Sequence, residues 1–517
     1  MMATTARTLP ALPTTAPERE GARRSVFPPN AATARYRAIF ADRNAEERRL
    51  LAEIKRLLER HSADAGFRAQ LAEPGADQRA IAAAYGIAID PRDVAPLLAR
   101  PDDMDGATPG EAAGPLVRAW QGYKAEMAEV GSLLLQGGDC AEVNPAFHAW
   151  RRRQVHRLTS QLGGMAESIN HPILTFELTA GCSVGCWFCG ISAGKLQGAF
   201  PYSAENRELW RDMLEQAVAL FGTAAQTGFC YWATEPADNP DYPSFIADFH
   251  RMTGALPPTT SATPVKDPDW TRQIIRLHDA LGGLPNRFSI LNLRMLDRVH
   301  AAFTAEELLG VHLVLQNKEA EQPKAHAGRA RDRAERSRKS DAGPDGAPGG
   351  GIIEGATIAC VSGFLVNMVE RSIRLMSPVP ASARWPLGYR VFGSRKFETA
   401  LDFRRAIEGL IAEHMPATVA TATPLSFRRD LGYTRTNRGF TLSSQGTEYA
   451  LAGGAGTGLL GDLLQEGRST ADEITAALRL AGVDFLRATD LLQQLFDRGM
   501  LEDDAVEDGI AGGHSAA

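Results

Sequence analysis

Three cysteines fall within eight positions, in CSVGCWFC at residues 182–189, while Cys140, Cys230 and Cys360 are scattered. Thiols grouped so tightly in a chain of low cysteine content suit metal ligation better than a disulfide scaffold. On one loop, Cys182, Cys186 and Cys189 can hold three irons of a [4Fe-4S] cube and leave the fourth iron open to an exchangeable ligand. A zinc knuckle is the other use of such a triad. Zinc wants four ligands, however, and the nearest further donors, His171 upstream and Cys230 downstream, are distant in sequence. The three remaining cysteines are too few to ligate a second [4Fe-4S] cluster with four thiolates.

A loop of this kind needs rigid elements to carry it. ILTFEL at 173–178 reads as a strand that ends just before the cysteines, and 206–221 as an amphipathic helix. Strands are then expected at 228–232, at the end of 257–262, and at 288–291, 310–315 and 356–365, with helices at 242–252 and 269–280. Strands alternating with helices of this length imply parallel β/α units, and several in series suggest a full or partial barrel. Residues 31–165 show helical spacing, as in RLLAEIKRLL at 49–58, with helices at 111–135 and 148–162 around the polar run 101–110, and form a helical N-terminal domain. His148, Trp150 and Arg151 to Arg153 on the last of these helices read as a mixed aromatic and basic patch or a solvated face.

Residues 1–30, rich in Pro, Thr, Ala and Arg without periodicity, read as a disordered tail, and 505–517 as another. Within 324–350, Arg329, Arg331, Arg333, Arg336, Arg338 and Lys339 precede a run of Gly and Pro, which reads as a basic flexible insertion or as a loop that touches an acidic peptide. Residues 396–504 resemble a winged helix by layout. A helix at 401–411 precedes a hairpin at 431–435 and 440–443 around NRG, and short helices come after it at 458–464, 470–480 and 485–497. Thr470 and Glu473 supply a capping box for the second of these. Winged helices bind DNA, but the recognition helix here is not strongly basic.

The CxxxCxxC spacing resembles the radical S-adenosylmethionine (SAM) superfamily, in which the open iron is chelated by the methionyl amine and carboxylate. Phe188 before the third cysteine fits the likeness. Closer still, HPILTFELTAGCSVGCWFCG at 171–190, EPADNPDY at 235–242 and CVSGFLVNMVER at 360–371 look like the radical SAM amino acid epimerases of the proteusin type, which convert L residues of ribosomally made peptides to D residues. The likeness covers roughly residues 35–395. It implies an α/β fold: a partial (β/α) radical SAM barrel over 166–395, between the helical domain and a small winged-helix-like α+β domain. It also implies that Glu235, in WATEP, meets the methionyl amine, that Ser289 and Asn292 meet the cofactor's ribose or carboxylate, and that Thr260, beside Thr259 and Ser261, lines the mouth.

In that chemistry a 5'-deoxyadenosyl radical removes the α-hydrogen of a peptide residue, and inversion needs a hydrogen atom from the opposite face. A thiol outside the cluster set is the best side-chain donor, because its S–H bond is weak enough to quench a carbon radical. The resemblance matches the family's donor to Cys360, whereas Cys230 reads as core packing and Cys140 as a surface thiol. The implied partners are a precursor peptide with its leader and a low-potential reductant such as ferredoxin or flavodoxin. Another radical SAM peptide modification, forming a C–C or thioether crosslink, stays open, as does a metal-stabilised regulatory or binding protein. With 56 Lys and Arg against 62 Asp and Glu, the net charge of −6 argues against a nucleic-acid coat or a polybasic membrane binder. No run of 18 or more apolar residues occurs, and residues 1–24 lack the apolar core of a signal peptide, so neither nucleic acid nor membrane is an expected partner and the expected setting is cytoplasmic.

Overall fold

The computed structural model describes residues 27–99, 114–339 and 355–503, apart from residues 29, 323 and 446. Most of the expected first tail, the polar run 101–110, the Gly/Pro half of the basic insertion and the tail 505–517 lie outside the described residues.

Helices come first: α1 (Ala31–Ala41), α2 (Ala45–Ala63), α3 (Ala65–Ala72), α4 (Gln78–Ala84), α5 (Ala95–Leu98), α6 (Pro115–Gln136) and α7 (Pro145–Leu162). Local signals start them. Asn44 and Glu47 form a reciprocal capping box on α2, and Asn144 caps α7, so amides left open at each N-terminus find acceptors. The helical region is tied to the later part of the chain, since the hydroxyls of Tyr36 and Tyr123 donate to the carbonyls of Gly310 and Leu309, both at 3.2 Å. Helix α7 belongs to the centre of the molecule, where Phe147 and Trp150 are buried in the main core. Arg151 and Arg153 are buried as well and only Arg152 between them is exposed, which overturns both the aromatic and basic patch and the solvated face expected of this helix.

The middle of the chain carries β1 (Leu174–Glu177), β2 (Thr179–Ala180), β3 (Gly198–Ala199), α8 (Ala204–Phe221), α9 (Tyr242–Thr253), β4 (Thr260–Ser261), α10 (Pro268–Leu281), β5 (Asn286–Ile290), α11 (Leu293–Ala302), β6 (Val311–Leu315) and α12 (Gly328–Lys339). Then come β7 (Gly363–Asn367), β8 (Ser372–Pro378), β9 (Tyr389–Lys396) and α13 (Ala400–His414). One sheet has the order β1-β7-β8-β9, another β4-β5-β6, and β2 pairs with β3. The pairs β1·β7, β4·β5 and β5·β6 are parallel, whereas β7·β8 and β8·β9 are antiparallel.

The architecture is thus mixed α/β, and no sheet among the described residues closes into a barrel. The expected strand at 228–232 is reduced to one parallel bridge between Phe229 and Thr175. Polar Thr234 and Glu235 and a 3-10 turn at Pro236–Asp238 come next, leaving too short a run to extend the ladder. The basic insertion also differs from expectation: residues 328–339 are helical, because no Gly or Pro interrupts them after Gly328 and Arg331 pairs with Glu335 one turn on at 2.8 Å.

Helix α13, expected from the sequence to open the C-terminal domain, packs its Phe403, Ile407 and Leu410 into the main core. The separate module begins later, with β10 (Gly432–Thr436), β11 (Gly439–Ser444) and β12 (Thr447–Ala452) in one antiparallel sheet, then α14 (Ala455–Glu466), α15 (Ala471–Leu480) and α16 (Phe485–Asp497). Its own core includes Phe440, Leu442, Leu460, Ile474 and Leu492. Thr470 and Glu473 form the expected capping box.

The closest approach in the main sheet is at the head of β7. A Cβ on Gly363 would stand 2.1 Å from the Ile173 carbonyl oxygen, so only glycine lets β7 pair there. Gly409, in α13, has nothing within 4 Å of such a Cβ. Gly363→Ala is therefore expected to destabilise the protein by about 2 kcal/mol or more through overpacking. Gly409→Ala should stabilise it by about 0.5–1 kcal/mol through helix propensity. Urea unfolding of both variants checks the opposite signs.

Candidate functional site

The sheet β1-β7-β8-β9 has two unlike faces, and strand periodicity sorts them. Leu174, Phe176, Phe364 and Val366 enter the main apolar core against the helices. The alternate positions are Thr175 and Glu177 on β1, Leu365 and Asn367 on β7, and Arg374 and Met376 on β8. Glu177 accepts from the Ala233 amide and the Asn367 side chain, both at 3.0 Å, with Arg374 at 3.9 Å. Burial holds its pKa above the usual carboxylate range, opposed by Arg374 and the two hydrogen bonds.

The cysteine loop leaves from this sheet through β2. Gly181 has φ +80°, and a Cβ there would meet the Lys195 carbonyl oxygen at 2.1 Å, so glycine allows the two arms of the loop to close together. The Cys182 amide donates to the Gly194 carbonyl at 2.9 Å, and the Ala193 amide to the Cys189 sulfur at 3.4 Å. All six cysteines of the chain are free; Cys182, Cys186, Cys189 and Cys360 are half-buried, and Cys140 and Cys230 are buried. Burial pushes the Cys186 thiol up to about 12, and the neighbouring Cys182 and Cys189 add to the shift. Burial also raises Cys182, with the Glu235 and Asp238 charges acting in the same direction. Cys186 thus senses the other two cysteines, and Cys182 senses two carboxylates. Among the described residues, no three or more His, Cys, Asp or Glu side chains converge as a ligating set.

The other expected residues take these places. Glu235 is buried, and accepts from the Ser261 hydroxyl at 2.6 Å, the Ala262 amide at 2.7 Å and the Ala237 amide at 3.4 Å. It braces the end of β4 and, through its charge, faces the cysteine loop. Its pKa is raised by burial, against those hydrogen bonds. Asn292 commits its side-chain oxygen to the Met295 amide at 2.9 Å, capping α11. It also borders a cleft of about 620 Å³ at the carboxyl ends of β4 and β5, with Ala262, Lys266, Arg294 and Arg298. Ends of parallel strands are where open α/β sheets bind ligands. Ser289 shares the less buried face of β5 with Arg287, and Thr260 is the register partner of Arg287.

Cys360 precedes β7 and packs, with Cys189 and Tyr231, against a cluster that includes Ile191, Phe229, Trp232 and Val361. Burial pushes its thiol up to about 12, and the Arg287 charge works the other way. Cys230 is core packing, as expected; Cys140, expected at the surface, is buried too, because it joins the main core behind α7. Five site residues escaped the sequence reading: Glu177, Asn367, Arg374, Tyr231 and Arg287. For Glu177, Asn367, Arg374 and Arg287 the signal was a polar residue at an alternate position of a strand, as in LTFE at 174–177; Tyr231 lies outside the strands and had no such signal.

Fold and site together define a mixed α/β protein with a cysteine-bearing loop at a polar sheet face and a C-terminal module with its own core. Residues 425–499, which span the C-terminal module, match the family model described as "Protein y4wI C-terminal domain". Over 473 residues, 91% of this chain and 90% of the relative, the sequence is 44% identical to "Uncharacterized protein y4wI" of Sinorhizobium fredii (strain NBRC 101917 / NGR234). The chain belongs to the y4wI family. No solved structure matches it.

The buried carboxyl of Glu177 makes a pH prediction. A carboxyl whose folded pKa lies above its unfolded value of about 4.3 stabilises the fold in its protonated form; that contribution is complete below the unfolded pKa and is lost as pH rises through the folded one. Glu177→Gln imitates the protonated form at every pH. Its unfolding midpoint is expected to rise relative to wild type between about pH 4.5 and 8. Parallel pH curves for the two proteins would rule out the raised carboxyl.

Proposed function

We propose that this chain is a radical SAM peptide epimerase, which converts L residues of a ribosomal precursor peptide to D residues. The observation that carries the reading is the grouping of two kinds of thiol about one polar sheet face: a triad on the loop after β1 and a separate, protonated Cys360 packed on the same cluster as Cys189. The donor chemistry of Cys182, Cys186 and Cys189 fits a [4Fe-4S] cluster, because three thiols on one short loop with Glu235 and Asp238 nearby would form a strongly anionic site once deprotonated. Bound there with SAM, the cluster would supply the 5'-deoxyadenosyl radical that takes the peptide's α-hydrogen.

The remaining steps belong to the chain. Cys360 keeps its proton at neutral pH, so a whole S–H bond is available. It breaks as the new Cα–H bond forms on the opposite face of the substrate radical. The sulfur is left as a thiyl radical, which takes one electron from a ferredoxin or flavodoxin and one proton from water. Cys140 and Cys230 are buried in the main core and are poorly placed to compete. The Asn292-bordered cleft and the Thr260, Arg287 and Ser289 positions are where the cofactor's polar groups would be met.

The C-terminal module is the proposed grip for the precursor's leader. β12 is an edge strand, and an extended peptide can add to such an edge through main-chain hydrogen bonds. The free cysteines suit a reducing cytoplasm. No helix among the described residues is long and apolar enough to cross a membrane.

The test is a reaction in deuterated water with reconstituted protein, SAM, reductant and a neighbouring precursor peptide, monitored residue by residue by mass and chiral hydrolysis. One added mass unit at each residue that has become D is expected, and Cys360→Ala should abolish the inversion while SAM cleavage persists. Loss of hydrogen mass without deuterium would mean a crosslinking enzyme instead. Metal binding without SAM cleavage would mean a structural site.

A further inference from the structure

Helix α12 contributes little to the cores, yet its start is fastened to the cysteine loop. The Arg329 amide donates to the carbonyl of Cys189 at 3.0 Å, and the Arg329 guanidinium to the carbonyl of Ala193 at 3.1 Å. One turn on, the Arg333 guanidinium lies 4.9 Å from the ring centre of Trp187, one of the two residues between the second and third cysteines. Over residues 328–336 there are four arginines against Asp332 and Glu335, and Arg333 and Arg336 are exposed. A helix of a dozen residues is about 18 Å long, enough to run beside the whole loop.

The same loop is bordered by exposed apolar side chains. Leu196 is 39% exposed, Ile358 47% and Val369 37%. Leu196 comes after exposed Lys195, whose backbone bridges to Cys182; Ile358 abuts Gly190; and Val369 lies beside Gly198 on β3. Small apolar surfaces with a cationic rim mark weak, fast, electrostatically steered interfaces. In a chain of net charge −6, this local reversal of sign needs a reason.

We propose that α12 and the apolar side chains around the cysteine loop form the docking site for a small acidic, low-potential electron carrier of the flavodoxin or ferredoxin type. The inference rests on the proposed function, which requires electrons at the triad. Charge complementarity selects an acidic partner. Contact of α12 with the backbone of the third cysteine selects an electron carrier, since a protein seated there stands one layer of side chains from the loop. In each encounter the reduced carrier would lose one electron to the cluster that the three cysteines would hold, with no bond made or broken. The peptide has a different requirement, access to Cys360 and Tyr231 at the polar sheet face.

The probe is a bacterial flavodoxin, titrated against the full chain with and without the reconstituted cluster at low and moderate salt. Arg333→Glu/Arg336→Glu is expected to weaken binding roughly tenfold at low salt, with the difference fading as salt rises. Reduction of the cluster by flavodoxin hydroquinone should slow in parallel, while reduction by dithionite stays unchanged. Arg336→Glu alone, at an exposed position that leaves Trp187 its cation, should act in the same direction if the double variant folds poorly. Unchanged flavodoxin affinity in both variants overturns the inference, and so does weaker precursor-peptide binding with flavodoxin binding intact. Dithionite-driven cleavage of SAM reports on the proposed function separately, so the two readings fail by different observations.

Discussion

The parallel pairing of β1 with β7 is the constraint on which the site depends. It joins the first and last strands of the β/α series, and residues 178–362 lie between them. Parallel neighbours always need a crossover, and a contact of this sequence separation is costly in loop entropy until much of the intervening chain has packed. Once made, it does two things at once. The cysteine loop leaves from one end of β1, and the segment carrying Cys360 arrives at the start of β7. The alternation of side chains along both strands then places Phe176 and Phe364 in the core and Glu177 and Asn367 on the polar face.

Buried cations hold that pairing in register. Arg151 of α7 donates twice to the carbonyl of His171, at 3.0 and 2.8 Å, where the chain takes the unusual φ of +48° before entering β1. The His171 ring meets the Ser362 hydroxyl at 2.7 Å, so the entry to β1 is tied to the entry to β7. Burial holds His171 at about 3, with Arg151 adding to the shift, and the ring stays neutral across the physiological range. A second buried arginine, Arg390 on β9, bonds the carboxylate of Asp503 at 2.7 Å and contacts Gln154 of α7. Buried ions contribute little net stability because desolvation offsets their attraction, but breaking one partner is strongly destabilising. Their effect is to fix how the segment after α16, α7 and the sheet meet.

Much of this was legible in the sequence because local chemistry decides it. Helices α8, α9 and α10 carry apolar stripes and capping residues, and the NRG turn between β10 and β11 sits where hairpin turns favour it. The triad was legible because its spacing is short and its residue type rare. What was hidden depends on distant contacts. Strands β8 and β9 are antiparallel additions to a sheet that sequence alternation marked as parallel, and nothing local in SIRLMSP at 372–378 announces the partner. The place of α13 in the main core was hidden for the same reason: an amphipathic helix does not say which neighbour covers its apolar side. Glu177 was legible as a residue and not as a site, since its meaning comes from Asn367 and Arg374, nearly two hundred positions away.

The roles proposed for the two sets of thiols on this face ask for opposite behaviour. Metal ligands must lose their protons, and a hydrogen-atom donor must keep its own. Burial alone raises both, since a thiolate is the charged form and bears the desolvation cost. At the loop the Cys182 and Cys189 charges raise Cys186 further, and Glu235 and Asp238 raise Cys182, so a bound cation would have to offset these charges. At Cys360 the balance differs: no carboxylate opposes the thiolate, and the Arg287 charge favours it, yet apolar Val361, Ile191 and Phe229 around the sulfur keep the proton in place. Under the proposed function the triad is a site whose protonation would depend on its ligand, and Cys360 one whose protonation depends on its packing. Separating them needs only the few side chains of one apolar cluster, which is how a single sheet face can carry both.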